Sequence, residues 1–354
     1  MPAQNFSTIR RNLLSWYEKN RRDLPWRQTA DPYAIWISET MLQQTQVKTV
    51  LPYYQRFLDT FPSVEALARA PLARVLRLWS GLGYYRRAEN LRVAARQIVR
   101  AHHCELPQDY AQLRALAGIG DYTAGAILSI AFQQPYPAID GNARRVLGRL
   151  FSLKNEAVLR ALAQRLVSKI KPGNFNQALM ELGATICAPA TPQCGVCPLA
   201  RQCSSRARRA LPARAPRAPR KTIIDVTWPL AVVRHRGKIL LRRRAAKDLL
   251  ARLWELPGGA LTGAVKPAVA LRRELFLLPI QRAKPLHIGA FRHAITHRRI
   301  CAPVYLFECA SKPEIRVPGA RWHWIPAHRV ERYPVSSMTK KALAVLAAHE
   351  TRSA

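Results

Sequence analysis

Acidic residues are scarce in this chain. Asp and Glu together number 21 against 57 Lys and Arg in 354 residues, a formal charge of +36 with neutral His. A surplus of that size calls for a polyanionic partner, and nucleic acid is the commonest one. A GC-rich codon bias inflates the Arg count but does not by itself remove acids. No apolar run reaches membrane-spanning length. No strongly basic amphipathic helix with an aromatic face stands out to favour an anionic membrane, so no membrane partner is expected. Met1 to Arg21 lacks the apolar stretch and cleavage site of a secretory signal. It reads instead as a helix with Phe6, Ile9, Leu13, Leu14 and Trp16 among polar residues. The expected location is the cytoplasm, with nucleoid association in a bacterium.

The first 203 residues lack the period-two alternation of strands. Apolar residues recur at helical spacing in Val64–Leu67–Val75–Leu78 and in Leu91–Ala94–Ala95–Ile98. Breaks are expected at Asp31–Pro32, Phe61–Pro62 and Ala70–Pro71. Ser204 to Thr222 carries six Arg and Lys221 between Pro212, Pro216 and Pro219, the composition of an extended basic linker. From Asp225 the period changes. Val226–Trp228, Ala231–Val233, Ile239–Leu241, Cys301–Cys309 and Trp322–Ile325 read as strands, with a hairpin turn at Arg236–Gly237. Helices are expected near Val265–Phe276 and Met338–His349. No solenoid repeat is visible. The expected organisation is a mainly α domain over 1–205, a basic linker over 206–224 and a smaller α+β domain over 225–354.

Seven cysteines are present, four of them within 17 residues. In a cytosolic chain such clustering argues for metal rather than disulfides. Cys187, Cys194, Cys197 and Cys203 give the spacing C-x6-C-x2-C-x5-C. Structural zinc sites usually pair two short hooks across a longer insert, whereas a single tight run suits a compact iron–sulfur centre better. The spacing matches, and resembles, the iron–sulfur loop of the endonuclease III and MutY glycosylases. That resemblance implies a [4Fe–4S] cluster far from the chemistry, shaping a basic DNA-contacting loop. Cys104, Cys301 and Cys309 are expected to be buried small apolar residues.

In Leu116–Ala117–Gly118–Ile119–Gly120, two glycines one residue apart permit a tight turn between helices. Backbone N–H groups at the start of the next helix can then face a phosphate, with Leu116 and Ile119 anchoring the turn in the core. Such a turn is usually just a helix connection. In a chain of this charge it also resembles the helix-hairpin-helix element of DNA glycosylases, where Pro often stands at the position of Ala117. Strand-nicking members of that superfamily carry a Lys nucleophile at the position of Tyr122, and a Tyr cannot form the imine. The resemblance therefore implies cleavage of the glycosidic bond without a nick, although Tyr122 also suits a packing role.

Two carboxylates complete the reading. Glu39 sits in Ile35–Trp36–Ile37–Ser38–Glu39–Thr40–Met41–Leu42–Gln43–Gln44–Thr45, where apolar neighbours on a helix would raise its pKa toward that of a general acid. Asp140, followed by Gly141 and Asn142, reads locally as a helix N-cap, and Glu39 reads locally as an ordinary helix residue. The run Ser38–Val47, the segment Ile139–Asn142, Gly81–Leu82–Gly83–Tyr84–Tyr85 and Leu24–Pro25–Trp26–Arg27 together resemble the MutY family of adenine DNA glycosylases over nearly the whole first 205 residues. Position by position, the resemblance implies that Glu39 protonates adenine at N7 and Asp140 stabilises the cationic sugar. Tyr122 and Asn142 support them. Gln44 and Tyr84 enter the base stack as adenine is flipped out, and Leu42, Trp26, Arg27 and Gln177 line the adenine pocket.

Chains of this family end in a Nudix-like domain that checks for 8-oxoguanine opposite the adenine. Trp254–Glu255–Leu256–Pro257–Gly258–Gly259 resembles the opening of a Nudix box, but Arg273–Glu274–Leu275 leads into Phe276, Leu277, Leu278 and Pro279. The further acids that would hold Mg²⁺ are missing, so a retained fold without pyrophosphate hydrolysis is expected. Phe291–Arg292–His293–Ala294–Ile295–Thr296–His297 resembles the family's Phe-Ser-His recognition loop, with Thr296 and His297 keeping polar groups and Ile295 lacking the ring; a solvated basic turn before a strand is the lesser alternative. The expected enzyme is a monomeric, monofunctional glycosylase acting on duplex DNA with adenine opposite 8-oxoguanine or guanine. Three other readings are weighed: a thymine-excising enzyme of the same fold, a non-catalytic DNA-binding or redox-signalling protein, and a strand-nicking endonuclease.

Overall fold

A computed structural model describes residues 5–207, 222–245, 252–261, 265–275, 284–295, 297–310 and 321–353. The chain divides into two compact units. One comprises Met1–Ala70 with Glu89–Ala218, the other Pro71–Ala88 with Pro219–Ala354. Residues 208–221 of the expected basic linker lie outside the described residues, as do Thr296 and Phe276–Pro279. Among the described residues no helix is long and apolar enough to cross a membrane.

Helices run through the first 207 residues as α1 (Phe6–Asn20), α2 (Pro32–Leu42), α3 (Val47–Thr60), α4 (Val64–Arg69), α5 (Leu72–Leu78), α6 (Arg86–Ala101), α7 (Tyr110–Ala115), α8 (Asp121–Ile130), α9 (Gly141–Phe151), α10 (Glu156–Leu166), α11 (Pro172–Thr185) and α12 (Ser204–Ala207). Their ends follow local chemistry. The Asn5 side chain accepts from the N–H groups of Ser7 and Thr8 to start α1. Asp31 accepts from those of Tyr33 and Ala34, with Pro32 at the first helical position of α2. The expected breaks at Phe61–Pro62 and Ala70–Pro71 separate α3, α4 and α5. Ile9, Leu13 and Tyr17 face inward from α1 at a spacing of four and pack with α9, α10 and α11. α2 differs, because every residue from Tyr33 to Met41 is buried. Such a helix is wrapped on all sides, and its neighbour α8 is likewise buried from Thr123 to Ile130.

Two glycines set close approaches. Gly118 has φ +78°, and a Cβ there would meet the Asn90 side chain at 2.7 Å. Gly183 on α11 leaves room for Asn142, whose Cβ would lie 2.6 Å from a Cβ at 183. The start of α9 can therefore sit directly against α11.

The second unit carries β1 (Ile224–Thr227), β2 (Leu230–His235), β3 (Lys238–Arg243), β4 (Trp254–Glu255), α13 (Pro267–Glu274), β5 (Leu286–Ile295), β6 (Arg298–Glu308), β7 (Arg321–Pro326) and α14 (Ser337–Ser353). β6 pairs in parallel with β1 and β2 on one edge and antiparallel with β5 on the other. β3 pairs antiparallel with β2, β4 and β7. The β2–β3 hairpin turns at Arg236 and Gly237, with φ +44° and +71°, the two positive values a tight two-residue turn needs. One face of the sheet packs on α14 through residues such as Val232, Val304, Ala342 and Leu346. The other packs on Leu271 and Leu275. The Pro71–Ala88 segment meets this unit where the buried Ser80 hydroxyl donates to the Val335 carbonyl at 2.7 Å.

One alternative falls away and one expectation needs correction. The lesser reading of Phe291–Ile295 as a free turn does not hold, because the segment completes β5, paired residue by residue with β6 as far as Ile295 opposite Arg298. Its mixed, half-exposed pattern concealed it, since only Ile288 among its ten residues is buried. Cys104, Cys301 and Cys309 are not buried fillers. Cys301 is exposed, standing between the buried Ile300 and Ala302, and the other two are half-buried. Strand alternation turns the Cys301 side chain outward.

Candidate active site

Glu39 is a buried carboxyl, 5 % exposed, near the end of α2. α8 packs beside that helix and supplies Tyr122, whose hydroxyl donates to Glu39 Oε2 and lies 3.7 Å from the Met180 sulfur. Burial pushes the Glu39 carboxyl up to about 7, with the Tyr122 hydrogen bond opposing and the nearby Asp140 charge reinforcing. Burial also raises the Tyr122 phenol well above its ordinary value, so it stays a donor at neutral pH.

Asp140 is the N-cap of α9. Its Oδ1 accepts from the Ala143 N–H at 2.7 Å and its Oδ2 from Asn142 Nδ2 at 3.1 Å. The local reading as a cap is thus correct, and the same carboxyl also lines a cleft with Glu39. Burial raises the Asp140 pKa, and the hydrogen bonds from Ala143 and Asn142 counter it. Arg145, one turn further, donates to Asn142 Oδ1 at 2.9 Å, the Gly183 carbonyl at 2.7 Å and the Cys187 carbonyl at 2.8 Å. One guanidinium therefore links the Asp140 cap to the first residue of the cysteine run.

The cleft has a volume of about 1310 Å³, above the ~300–1,000 Å³ of ordinary small-molecule pockets. Trp26, Arg27, Leu42, Gln44 and Gln177 line it together with Glu39, Tyr122, Asp140 and Asn142. Gly118 and Gly120 also line it. Leu116 and Ile119 are buried, as expected of turn anchors. No side chain caps α8 at Gly120, and a Cβ there would meet nothing within 4 Å. The start of α8 is thus left without a side-chain cap, the kind of end whose N–H groups can face an anion. Tyr84 and His297 belong to the other unit.

Four contributors escaped the sequence reading: Glu181, Arg22, Met180 and Arg145. Glu181 on α11 is 1 % exposed and accepts from Arg22 Nε at 2.6 Å and Arg27 Nη2 at 2.7 Å. Burial pushes this carboxyl upward, but the Arg22 and Arg27 hydrogen bonds together outweigh it and leave it below the usual range. Gln177, one turn earlier, accepts from the Tyr17 hydroxyl at 3.0 Å, and Arg27 stands over the Tyr17 ring. The spacing of four between Gln177 and Glu181 was the available signal. Met180 and Arg145 carried no signal beyond their helices.

Cys187, Cys194, Cys197 and Cys203 line one cavity in the same unit, with Arg149, Leu150, Leu182 and Leu199 around them. No three His, Cys, Asp or Glu side chains among the described residues converge tightly enough for a single ion. The buried Arg149 lies 3.4 Å from the Cys187 sulfur and donates to the Ala188 and Pro189 carbonyls at 2.8 Å each. The donor set is four soft thiols ringing a shared space, a set suited to a polynuclear centre.

Residues 37–172 match the family model for HhH-GPD superfamily base excision DNA repair proteins, and residues 230–345 match that for the NUDIX domain. An adenine DNA glycosylase of Rattus norvegicus is 35 % identical, covering 97 % of this chain and 78 % of its own length. This chain belongs to the adenine DNA glycosylase family. The Homo sapiens adenine DNA glycosylase is 34 % identical over 96 % of this chain and 74 % of its own. Among solved structures, a thermostable thymine-DNA glycosylase is 30 % identical with a TM-score of 0.55, covering 57 % of this chain and 97 % of its own. Within the adenine DNA glycosylase family, then, this chain has the helical base-excision unit followed by a Nudix-type domain.

Proposed function

We propose that this protein hydrolyses the N-glycosidic bond of adenine in duplex DNA, where the adenine stands opposite 8-oxoguanine or guanine. The observation that carries this reading is the Glu39–Tyr122 pair beside Asp140. A purine leaves as a neutral base only if it is protonated, and the sugar left behind carries oxocarbenium character. A carboxyl pushed up to about 7 holds its proton near neutral pH and gives it to the ring nitrogen of the base. Asp140, anchored by Ala143 and Asn142, presents negative charge to the sugar cation and holds the attacking water. Trp26, Leu42, Gln177 and the Arg22–Glu181–Arg27 group bound the space for the extruded base. Gln44 and Tyr84 fill the gap it leaves. Gly118 and Gly120 hold a backbone phosphate against the α8 start. The surplus of cations over acids supports duplex binding.

Tyr122 supports cleavage of the base alone, since a phenol has no amine nitrogen with which to form an imine at C1′. Cys187, Cys194, Cys197 and Cys203 would hold a [4Fe–4S] cluster, whose contribution when bound is structural, tying the loop after α11 into the helical unit. The C-terminal unit reads the base opposite through Ile295, Thr296 and His297, and the protein acts as a monomer.

The test is single-turnover base release on three duplexes: adenine opposite 8-oxoguanine, adenine opposite guanine, and thymine opposite guanine. Adenine release, faster opposite 8-oxoguanine, is expected. Thymine release without adenine release overturns the reading.

A further inference from the structure

The segment Trp79–Arg87 forms a tight turn between α5 and α6. Gly81, Gly83 and Tyr84 all have positive φ, at +114°, +73° and +47°. For Tyr84 this is a sparsely populated backbone state, which persists only where the surroundings fix it. Here they do. The Trp79 indole N–H donates to the Gly83 carbonyl at 3.1 Å, and the Gly81 N–H donates to the Tyr85 hydroxyl at 3.3 Å. Trp79 and Tyr85 are buried, while Tyr84 is 50 % exposed. Ser80, at the start of the turn, is anchored to the Val335 carbonyl.

Arg87 stands behind the turn. Its guanidinium lies 5.3 Å from the Trp79 ring centroid and 5.4 Å from that of Tyr84. Its Nη2 reaches the carbonyls of Leu82 and Gly83 at 3.4 and 3.3 Å. Burial lowers the Arg87 pKa to about 10, which leaves the side chain cationic at neutral pH. A desolvated guanidinium attracts aromatic rings more strongly than an exposed one. The exposed Tyr84 ring is thus tethered on one side to a charge that is itself fixed by Trp79 and two carbonyls.

We infer that Arg87 is a positioning residue for base extrusion: it holds the Tyr84 ring in one orientation before DNA arrives, so that the ring enters the base stack without first being ordered. This rests on reading Tyr84 as the residue inserted into the stack. Ordering a ring on contact would slow extrusion, whereas a ring ordered beforehand carries that entropic cost in the free protein. The hydrogen bonds to Leu82 and Gly83 serve the same end by fixing the backbone from which the ring projects.

The experiment uses the full chain in a Glu39→Gln background, which blocks base release, with 2-aminopurine in place of the target adenine opposite 8-oxoguanine. Extrusion is read as the rise in 2-aminopurine fluorescence, and binding by anisotropy of a labelled duplex. Arg87→Met is expected to slow the fluorescence rise about tenfold, with DNA affinity within about threefold and an unchanged circular dichroism spectrum. Arg87→Lys, which keeps the charge, is expected to restore part of the rate. Tyr84→Ala should slow the rise at least as much, and adding Arg87→Met to it should change little more. If Tyr84→Ala slows extrusion but Arg87→Met does not, the inference about Arg87 is wrong while the reading of Tyr84 survives. If Arg87→Met slows extrusion equally with and without the Tyr84 ring, or only by weakening binding, the positioning role is overturned. A Tyr84→Ala protein that extrudes normally overturns both.

Discussion

The Tyr122 hydroxyl donates a hydrogen bond to Oε2 of Glu39, across 83 residues of sequence. The bond favours the ionised form of Glu39, whereas burial favours the protonated form by more. With Glu39 as the proposed acid, base release should be fast below a pKa near 7 and fall above it. Removing the hydroxyl removes the opposing influence. Tyr122→Phe is therefore expected to move the alkaline limb of the pH–rate profile upward while lowering its plateau. A limb that stays put or moves down would show that this bond does not set the acid's strength.

Glu39→Gln should lower single-turnover base release by about 10²–10⁴-fold, the usual worth of a general acid. The same change should stabilise the fold at pH 8. A carboxyl at about 7 when folded, against an ordinary 4.5, has a raised folded pKa. Its stabilising contribution is complete below about 4.5 and is lost as pH rises through about 7. At pH 8 the wild-type fold therefore carries a penalty of about 3 kcal/mol for ionising a buried group. Denaturant titrations at pH 8 and pH 5 should show the Gln variant ahead at the former, with the gap closing at the latter. Equal stability at pH 8 would contradict the buried, raised carboxyl.

Tyr122→Lys should introduce an amine beside the sugar. Borohydride is expected to trap this variant covalently on adenine-containing duplex and to leave the wild type free. Trapping of the wild type would defeat the reading of a base-only hydrolase.

Arg145 joins Asn142 to the Gly183 and Cys187 carbonyls. Arg145→Met should loosen the Asn142 side chain that holds Asp140, lowering base release by about 10–100-fold, the range for residues that orient others. Iron content and visible absorbance should be measured alongside. Loss of activity with full iron supports transmission through Asn142. Loss of iron in proportion to activity places the role of Arg145 in the cysteine loop instead.

The sequence by itself determined the features that arise within a few residues. Asp31 and Pro32 start α2 because a carboxylate caps N–H groups and a proline fits the first helical position. Asp140 caps α9 for the same reason, and Arg236–Gly237 turns the β2–β3 hairpin. The cysteine spacing similarly marked one loop. Only the tertiary structure decided the environments. Glu39 is a plausible surface residue until α8 buries it and brings Tyr122. Glu181 is an ordinary helix acid until Arg22 and Arg27 arrive from more than 150 residues earlier in the chain. Cys301 is exposed because β6 turns it outward, and Pro71–Ala88 joins the C-terminal unit although it lies among the helices in sequence. Caps and turns are fixed by hydrogen bonds within three or four residues. Burial, and with it the proton affinity of Glu39, is fixed by segments that meet only when the chain has folded.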